Sequence, residues 1–231
     1  MNKTNIEKVR EIAIDFLHLE PTVVESYPVF VEHPFFDSRV VMTKEKTIVD
    51  IIDNPDELEK AVKIREDALK RSDLPHMFNM IRDKYHMAFL KYIKPYLSKT
   101  DFDEYLAFVW VNSENPNQDA NVAIPQLIQW FKKANKRTLM DKDELAYYEQ
   151  LPEIVDIYRG IAVGRAETEG LSWTCKYKTA EWFSNRYNTD TEHGYIVKGK
   201  IKKENIFAYF NSRNEDEILC DSTKVYDVER I

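Results

Sequence analysis

Two glutamates, Glu215 and Glu217, are separated by one residue in the last part of this 231-residue chain. They precede Ile218–Cys220, an apolar run that predicts a β-strand. Side chains alternate along a strand, so we expect both carboxylates on one face, roughly 7 Å apart. Paired carboxylates at such distances flank glycosidic bonds in hydrolases, where one stabilises an oxocarbenium-like centre. Taken alone, the run Asn214–Glu217 also fits a solvated acidic turn.

An arginine followed by a glycine, Arg159 and Gly160, ends the predicted strand that begins at Ile154. A guanidinium can bind phosphate oxygens through two hydrogen bonds, and a glycine lets a ligand approach the backbone closely. The pair therefore indicates an anion-binding position. A strand-edge arginine beside a turn glycine is the alternative.

Two hydroxyl residues, Ser172 and Thr174, lie on either side of Trp173 in another predicted strand, Leu171–Thr174. Their spacing places both hydroxyls on one face of that strand. A hydroxyl in this position can orient a catalytic carboxylate. The alternative is the ordinary β-propensity of Thr and Trp.

In this order, the arginine–glycine, serine-x-threonine and glutamate-x-glutamate motifs resemble the arginine/serine/glutamate (R-S-E) class of mono-ADP-ribosyltransferases. That class includes binary toxins, vertebrate cell-surface enzymes and phage-encoded enzymes. The resemblance covers about residues 154–231 and implies that NAD is the substrate. It assigns Glu217 to the ribose 2′-hydroxyl and to the positive charge that develops as nicotinamide leaves. It assigns Glu215 to the incoming nucleophile and Ser172 to the support of Glu217.

The same resemblance implies the NAD-binding residues. Arg159 holds the phosphates, and the backbone of Gly160 grips the nicotinamide amide. Phe183 and Arg186 have the spacing of the phosphate–nicotinamide loop of binary toxins, where an aromatic ring packs on nicotinamide and an arginine meets phosphate. The implied catalytic residues are Glu217, Glu215, Ser172 and Arg159, and the implied NAD-binding residues are Arg159, Gly160, Thr174, Phe183 and Arg186. Trp173 departs from the usual middle residue of the hydroxyl motif, and the segment Tyr209–Asn214 matches the loop that contacts the protein substrate.

The distribution of glycine indicates which elements position these residues. All five glycines lie between Gly160 and Gly199. A glycine-free stretch rich in Lys, Glu, Leu and Met is typical of packed helices, whereas clustered glycines are typical of turns between strands. We therefore expect a helical domain over residues 1–150 and the catalytic domain over residues 151–231.

Capping and periodicity predict the helices of the first part. They are expected at Asn5–His18, from Asn54 towards Arg71, at Leu74–Leu97, from Thr100 with Asp103 as a capping box, at Ala123–Lys133, and from Asp141 with Glu144 to Pro152; Thr22–Thr43 is expected to form a hairpin or extended arm.

The second part contains short runs rich in Ile, Val, Phe and Tyr. Strands without crossover helices pair antiparallel. The fold class expected is α+β, with an N-terminal helical domain followed by an antiparallel two-sheet domain like that of the ADP-ribosyltransferases. The strands are expected at Ile154–Tyr158, Leu171–Thr174, Tyr195–Ile201, Ile206–Phe210, Ile218–Cys220 and Lys224–Val228, with one helix at Thr179–Tyr187.

Composition excludes several classes of function. The net charge of −7 argues against general nucleic-acid binding, because neutralising phosphates needs a basic surface. No apolar run approaches the roughly 20 residues of a membrane helix, and no secretory signal is visible in Met1–Glu20. We therefore expect a protein that acts in the cytoplasm, either where it is made or after delivery into a host cell. Two cysteines, Cys175 and Cys220, are expected as reduced thiols, and five scattered histidines predict no metal site.

Three functions remain open at this stage. The leading hypothesis is transfer of ADP-ribose from NAD to an arginine of a target protein, with release of nicotinamide. An NAD glycohydrolase, with water as the nucleophile, is the second. A non-enzymatic binding protein on a transferase fold is the third. The presence of Glu215 favours the transferase. A hydrolase uses water as the nucleophile, so it has no guanidinium for a second carboxylate to align.

Overall fold

The computed structural model describes residues 3–43, 46–114, 116–164 and 170–231. The chain forms two compact units: unit 1 comprises Met1–Phe102 with Asn112–Glu114, and unit 2 comprises Asp103–Val111 with Asn115–Ile231. Helices predominate before residue 150 and strands after residue 154, which confirms the predicted α+β class. The two units divide within helix α5 (Lys99–Asn112), whereas the composition changes near residue 150.

Unit 1 combines four complete α-helices and the first turn of α5 with two short antiparallel strand pairs in its described residues. The helices are α1 (Ile6–Leu17), α2 (Pro55–Leu69), α3 (Leu74–Met80) and α4 (His86–Ile93). The strand pairs are β1 (Thr22–Val23) with β2 (Val31–Glu32) and β3 (Val40–Met42) with β4 (Ile48–Asp50).

Helix α1 shows how the sequence builds the core of unit 1. Val9, Ala13 and Leu17 recur every four residues and are fully buried, so they form the apolar stripe of an amphipathic helix. The Asn5 side chain caps the helix by accepting a hydrogen bond from the Lys8 amide at 3.2 Å. The predicted helix at Asn5–His18 is thus confirmed.

The single helix predicted over Leu74–Leu97 is wrong, because the chain leaves the helical conformation at Ile81. The Nε2 atom of His86 lies 2.8 Å from the carbonyl oxygens of both Phe78 and Ile81. These carbonyls are satisfied by a side chain instead of by the next helical turn. Helix α3 therefore ends, and α4 begins at His86.

The predicted capping box of Thr100 and Asp103 is also wrong. The hydroxyl of Ser98 accepts the amide hydrogen of Asp101 at 3.0 Å, and α5 begins at Lys99. The Asp103 carboxylate instead accepts a hydrogen bond from the Asn135 amide at 2.9 Å. By contrast, the capping box of Asp141 with Glu144 is present as predicted.

Unit 2 contains the second part of α5, three further helices before the sheet and one within it. The helices are α6 (Ile124–Lys133), α7 (Lys136–Leu139), α8 (Lys142–Gln150) and α9 (Tyr177–Asn185). The strands are β5 (Ile154–Ile161), β6 (Ser172–Thr174), β7 (Tyr195–Lys202), β8 (Ile206–Phe210), β9 (Glu217–Cys220) and β10 (Tyr226–Arg230).

The described strands of unit 2 form one six-stranded antiparallel sheet in the order β10-β7-β5-β6-β9-β8. Strand β5 pairs with β7 along its whole length, and β6 pairs with β9 along its whole length. The two halves meet in the single pair Tyr158↔Thr174. This pair joins the strands into one hydrogen-bonded sheet, which corrects the expected arrangement of two sheets.

Both cysteines are free thiols, with Cys220 buried and Cys175 partly exposed. Among the helices of the described residues, none combines the length and the apolar character needed to cross a membrane.

Candidate active site

Glu217 is the first residue of β9, and its side chain is almost completely buried. The indole Nε1 of Trp110, in the unit 2 part of α5, donates a hydrogen bond to Glu217 Oε1 at 3.0 Å. The side chain of Ser172 lies beside the same carboxylate and lowers its pKa. Burial raises the pKa of Glu217, and the side chains of Ser172 and Trp110 oppose that shift.

Strand register explains why Ser172 reaches Glu217. Thr174 is the direct partner of Glu217 across β6 and β9, and Ser172 is the partner of Leu219. Residues that face each other, and those two apart, share one face of a sheet. Ser172, Thr174 and Glu217 therefore share a face, and Trp173 lies on the other.

Glu215 lies outside the strand, so the argument from strand alternation does not apply to it. Asn214 and Asp216, on either side, have φ values of 56° and 46°. The left-handed backbone is one that Asn and Asp adopt more readily than most residues, and it interrupts the alternation of a strand. Glu215 still acts on Glu217, since its charge raises the pKa of the buried carboxyl.

Hydrogen bonds from neighbouring residues hold the loop that carries Glu215. The Thr174 hydroxyl donates to the Glu215 carbonyl at 3.0 Å, and the Cys175 amide donates to the Asp216 carbonyl at 3.3 Å. The Asp216 carboxylate accepts a hydrogen bond from the Tyr209 hydroxyl at 2.7 Å, and the Asp216 backbone amide donates one to the Asn211 side chain at 3.0 Å. The side chain of Thr174 and the backbone of the next residue, Cys175, thus hold the loop of the carboxylate motif.

Arg213 lies on the same loop and forms an ion pair with Glu215, with Nη2 and Oε2 2.8 Å apart. Its charge also lowers the pKa of Glu217. One guanidinium therefore acts on both carboxylates of the motif.

Arg159 occupies an interior position of β5, since the strand continues to Ile161 and does not end at Arg159 as expected. Its guanidinium lies against Gly170, where a side chain would overlap it, and Nη1 donates to the Ser172 carbonyl at 3.4 Å. Burial lowers the pKa of this arginine. Ser172 lies between Arg159 and Glu217, because its carbonyl accepts a hydrogen bond from the first and its side chain lies beside the second.

Gly160 and Phe183 meet where α9 crosses β5. A Cβ atom at position 160 would overlap the Ala180 carbonyl and would lie 2.6 Å from the Ser184 amide nitrogen and 2.8 Å from the Phe183 Cβ. A glycine is therefore required here for close packing of the helix on the strand.

Arg186 follows α9 and is exposed. Its guanidinium carbon lies 5.2 Å from the ring centre of Trp182 and 5.8 Å from that of Tyr187. Of the hydrogen bonds, ion pairs and ring contacts in the described part of the chain, none joins Arg186 to Arg159, Ser172 or Glu217. The structure thus groups Ser172, Thr174, Glu215 and Glu217, places Arg159 beside Ser172, and leaves Arg186 at the helix end.

Two residues of this site were missed by sequence reasoning. Trp110 is separated from Glu217 by 107 positions, and it lies in a helix that carried no motif. Arg213 stands within the segment that resembles the substrate-contacting loop, and its position two residues before Glu215 could have indicated the ion pair.

No cluster of three or more His, Cys, Asp or Glu side chains that could hold a metal ion occurs in residues 3–43, 46–114, 116–164 and 170–231. Comparison with protein-family models, with curated proteins and with solved structures gives no match.

Proposed function

We propose that the protein is an NAD-dependent mono-ADP-ribosyltransferase that modifies arginine side chains and releases nicotinamide. The observation that carries the proposal is the buried Glu217 carboxylate, which accepts a hydrogen bond from Trp110 and has the side chain of Ser172 beside it. A buried carboxylate with a fixed orientation can stabilise a cation that develops next to it, because charge interactions are stronger where water is excluded.

Glu217 supplies the negative charge in this mechanism. Cleavage of the bond between ribose and nicotinamide leaves positive charge on the ribose, as in the oxocarbenium-like transition state of glycosidases. Burial favours the neutral form of Glu217, whereas a cationic substrate favours the ionised form. The hydrogen bond from Trp110 holds the carboxylate in one orientation before the charge develops.

Glu215 serves the acceptor. It is partly exposed and already binds a guanidinium, that of Arg213. A carboxylate in this position can align an incoming guanidinium and accept its proton as the new bond forms. Arg159, with its positive charge beside Ser172, is assigned to the NAD phosphates, as the resemblance implies.

An NAD glycohydrolase is the second candidate, and the ion pair of Glu215 with Arg213 favours it. A carboxylate that is occupied by an internal guanidinium is less available to an external one. Water, which is small, can reach the ribose without that carboxylate.

The test is release of nicotinamide from NAD by the purified protein, with and without the small guanidine agmatine. A transferase attaches ADP-ribose to agmatine, and a glycohydrolase gives free ADP-ribose at the same rate in both reactions. Absence of nicotinamide release in both reactions, with NAD in excess, would refute both enzymatic candidates and leave a binding role.

A further inference from the structure

The position of Arg213 carries a consequence for the protein's own chemistry. Its guanidinium binds the carboxylate that the proposed function reserves for the guanidinium of the acceptor, at 2.8 Å from Nη2 to Oε2. It also lies close enough to Glu217 for its charge to lower the pKa of that carboxyl. Arg213 therefore occupies the place that an acceptor arginine must take.

The loop geometry keeps Arg213 in that place. The left-handed residue Asn214 separates it from Glu215, and the hydrogen bonds of Thr174 and Tyr209 hold the chain immediately beyond. The side chain of Arg213 is 41% exposed, so it is accessible to a substrate. An acceptor held in position reacts at a high effective concentration, because its translational freedom is already lost.

We propose that Arg213 is an internal acceptor, and that the protein transfers ADP-ribose from NAD to its own Arg213. This inference rests on the proposed function. A guanidine nitrogen of Arg213 forms a bond to the anomeric carbon of the ribose. The bond from that carbon to the nicotinamide nitrogen breaks, and its electron pair neutralises the pyridinium, so nicotinamide leaves uncharged. The nitrogen that attacks loses one proton to Glu215 and then to water, and no oxidant or reductant is needed.

The experiment uses the full chain, NAD labelled in the adenylate part, and no added acceptor. We expect stable label on the protein, assigned to Arg213 by peptide mass spectrometry. The rate per molecule should not depend on protein concentration, since the reaction is intramolecular.

Two variants isolate the residue. Arg213→Lys keeps the positive charge beside the carboxylates but removes the guanidine, so self-labelling should be lost. Arg137→Lys is the matched control, because Arg137 is an exposed arginine on α7 and should leave self-labelling unchanged. The circular dichroism spectrum and melting temperature of Arg213→Lys should match those of the wild type, which separates loss of the acceptor from loss of the fold, and peptide mapping of the labelled wild type locates the acceptor independently of the variant.

Several outcomes overturn the inference. Label on another arginine, or self-labelling that is unchanged in Arg213→Lys, refutes Arg213 as the acceptor. Transfer to agmatine by a wild-type protein that does not label itself refutes the inference and leaves the proposed function intact. Absence of nicotinamide release under all conditions refutes both.

Discussion

In unit 1 the buried imidazole of His33 is held by backbone groups, whereas in unit 2 the buried carboxylate of Glu217 is held by side chains. His33 Nδ1 accepts the Phe35 amide hydrogen at 3.0 Å, and Nε2 donates to the Leu19 carbonyl at 2.9 Å. Both ring nitrogens are satisfied. Burial, helped by the charges of Arg65 and Arg82, lowers the pKa of His33 to about 4.

Glu217 differs because its neighbours are side chains from elements that are distant in the sequence. Trp110 donates a hydrogen bond to its carboxylate, Ser172 lies beside it, and burial raises its pKa. Hydrogen bonds to backbone groups, as at His33, fix the local course of the backbone. Contacts with side chains from separate elements hold a carboxylate in a defined orientation, as catalysis requires. The partners of a buried polar group, more than its burial, therefore distinguish a candidate active site from a structural contact.

The first prediction concerns a variant that lacks the negative charge of Glu217. Glu217→Gln retains the shape of the side chain, and loss of one preorganised electrostatic group typically costs about 10²–10³ in rate. Both nicotinamide release and label transfer should fall at least that far. Near-normal nicotinamide release by this variant would contradict the mechanism.

The same substitution should increase stability, and this effect separates it from misfolding. The pKa of Glu217 is higher in the folded than in the unfolded chain, so its contribution to stability is present at low pH and is lost as the pH rises through the folded pKa. Glutamine does not titrate. Thermal melting of the two proteins should therefore differ more at alkaline than at acidic pH, with the variant the more stable at alkaline pH.

The second prediction separates the two glutamates. Glu215→Gln should lower transfer to agmatine by about 10²-fold, in the range for loss of an acid–base group, while much of the NAD hydrolysis remains. The measurement is nicotinamide release and label transfer side by side. Equal loss of both activities would mean that Glu215 shapes the NAD site. Intact transfer would mean that another group activates the acceptor.

The third prediction tests the structural half of the comparison. His33 is neutral when folded and takes up a proton more readily when unfolded, so stability is lost as the pH falls from its unfolded to its folded pKa. Between about pH 7 and about pH 5 the shift corresponds to roughly 2 kcal/mol of unfolding free energy. Urea unfolding should show this loss in the wild type and not in His33→Gln, with the exposed His76→Gln as control. A pH dependence equal in wild type and His33→Gln would contradict this assignment.

Much of the sheet could be predicted from the sequence, because strand signals are local. The five residues of β8 were predicted completely, because they form a continuous apolar run. Strand β7 was predicted to within one residue, because its apolar and polar residues largely alternate. The proximity of Ser172 to Glu217 is what the resemblance to the R-S-E class implies. It follows from register once the strands pair.

The features that escaped prediction depend on contacts between distant residues. Helix α3 ends because His86 binds its last carbonyls, and no local signal marks that role. Glu215 leaves the strand because Asp216 adopts a left-handed conformation, which its hydrogen bonds with Tyr209 and Asn211 support. Trp110 reaches Glu217 through packing of α5 that periodicity does not reveal.

The last prediction concerns Trp110 and compares it with a second buried tryptophan, Trp173. Trp110→Phe removes the indole N–H and keeps an aromatic ring beside Phe131, whose centre is 5.3 Å from that of Trp110. A hydrogen bond to a charged group contributes about 1.5–3 kcal/mol, so nicotinamide release should fall about tenfold or more. The pKa of Glu217 should rise further, because that bond opposes the effect of burial, and the acidic limb of the pH–rate profile should move to higher pH.

Trp173→Phe is the matched control for this substitution. Trp173 is buried on the other face of β6, and its Nε1 has no hydrogen-bond partner among the described residues. Removing that group should leave the pH–rate profile in place. If Trp110→Phe lowered the rate without moving the pH–rate profile, the indole would act only by packing in the core. Ser172 would then be the one side chain of the two that distinguishes the surroundings of Glu217 from those of His33.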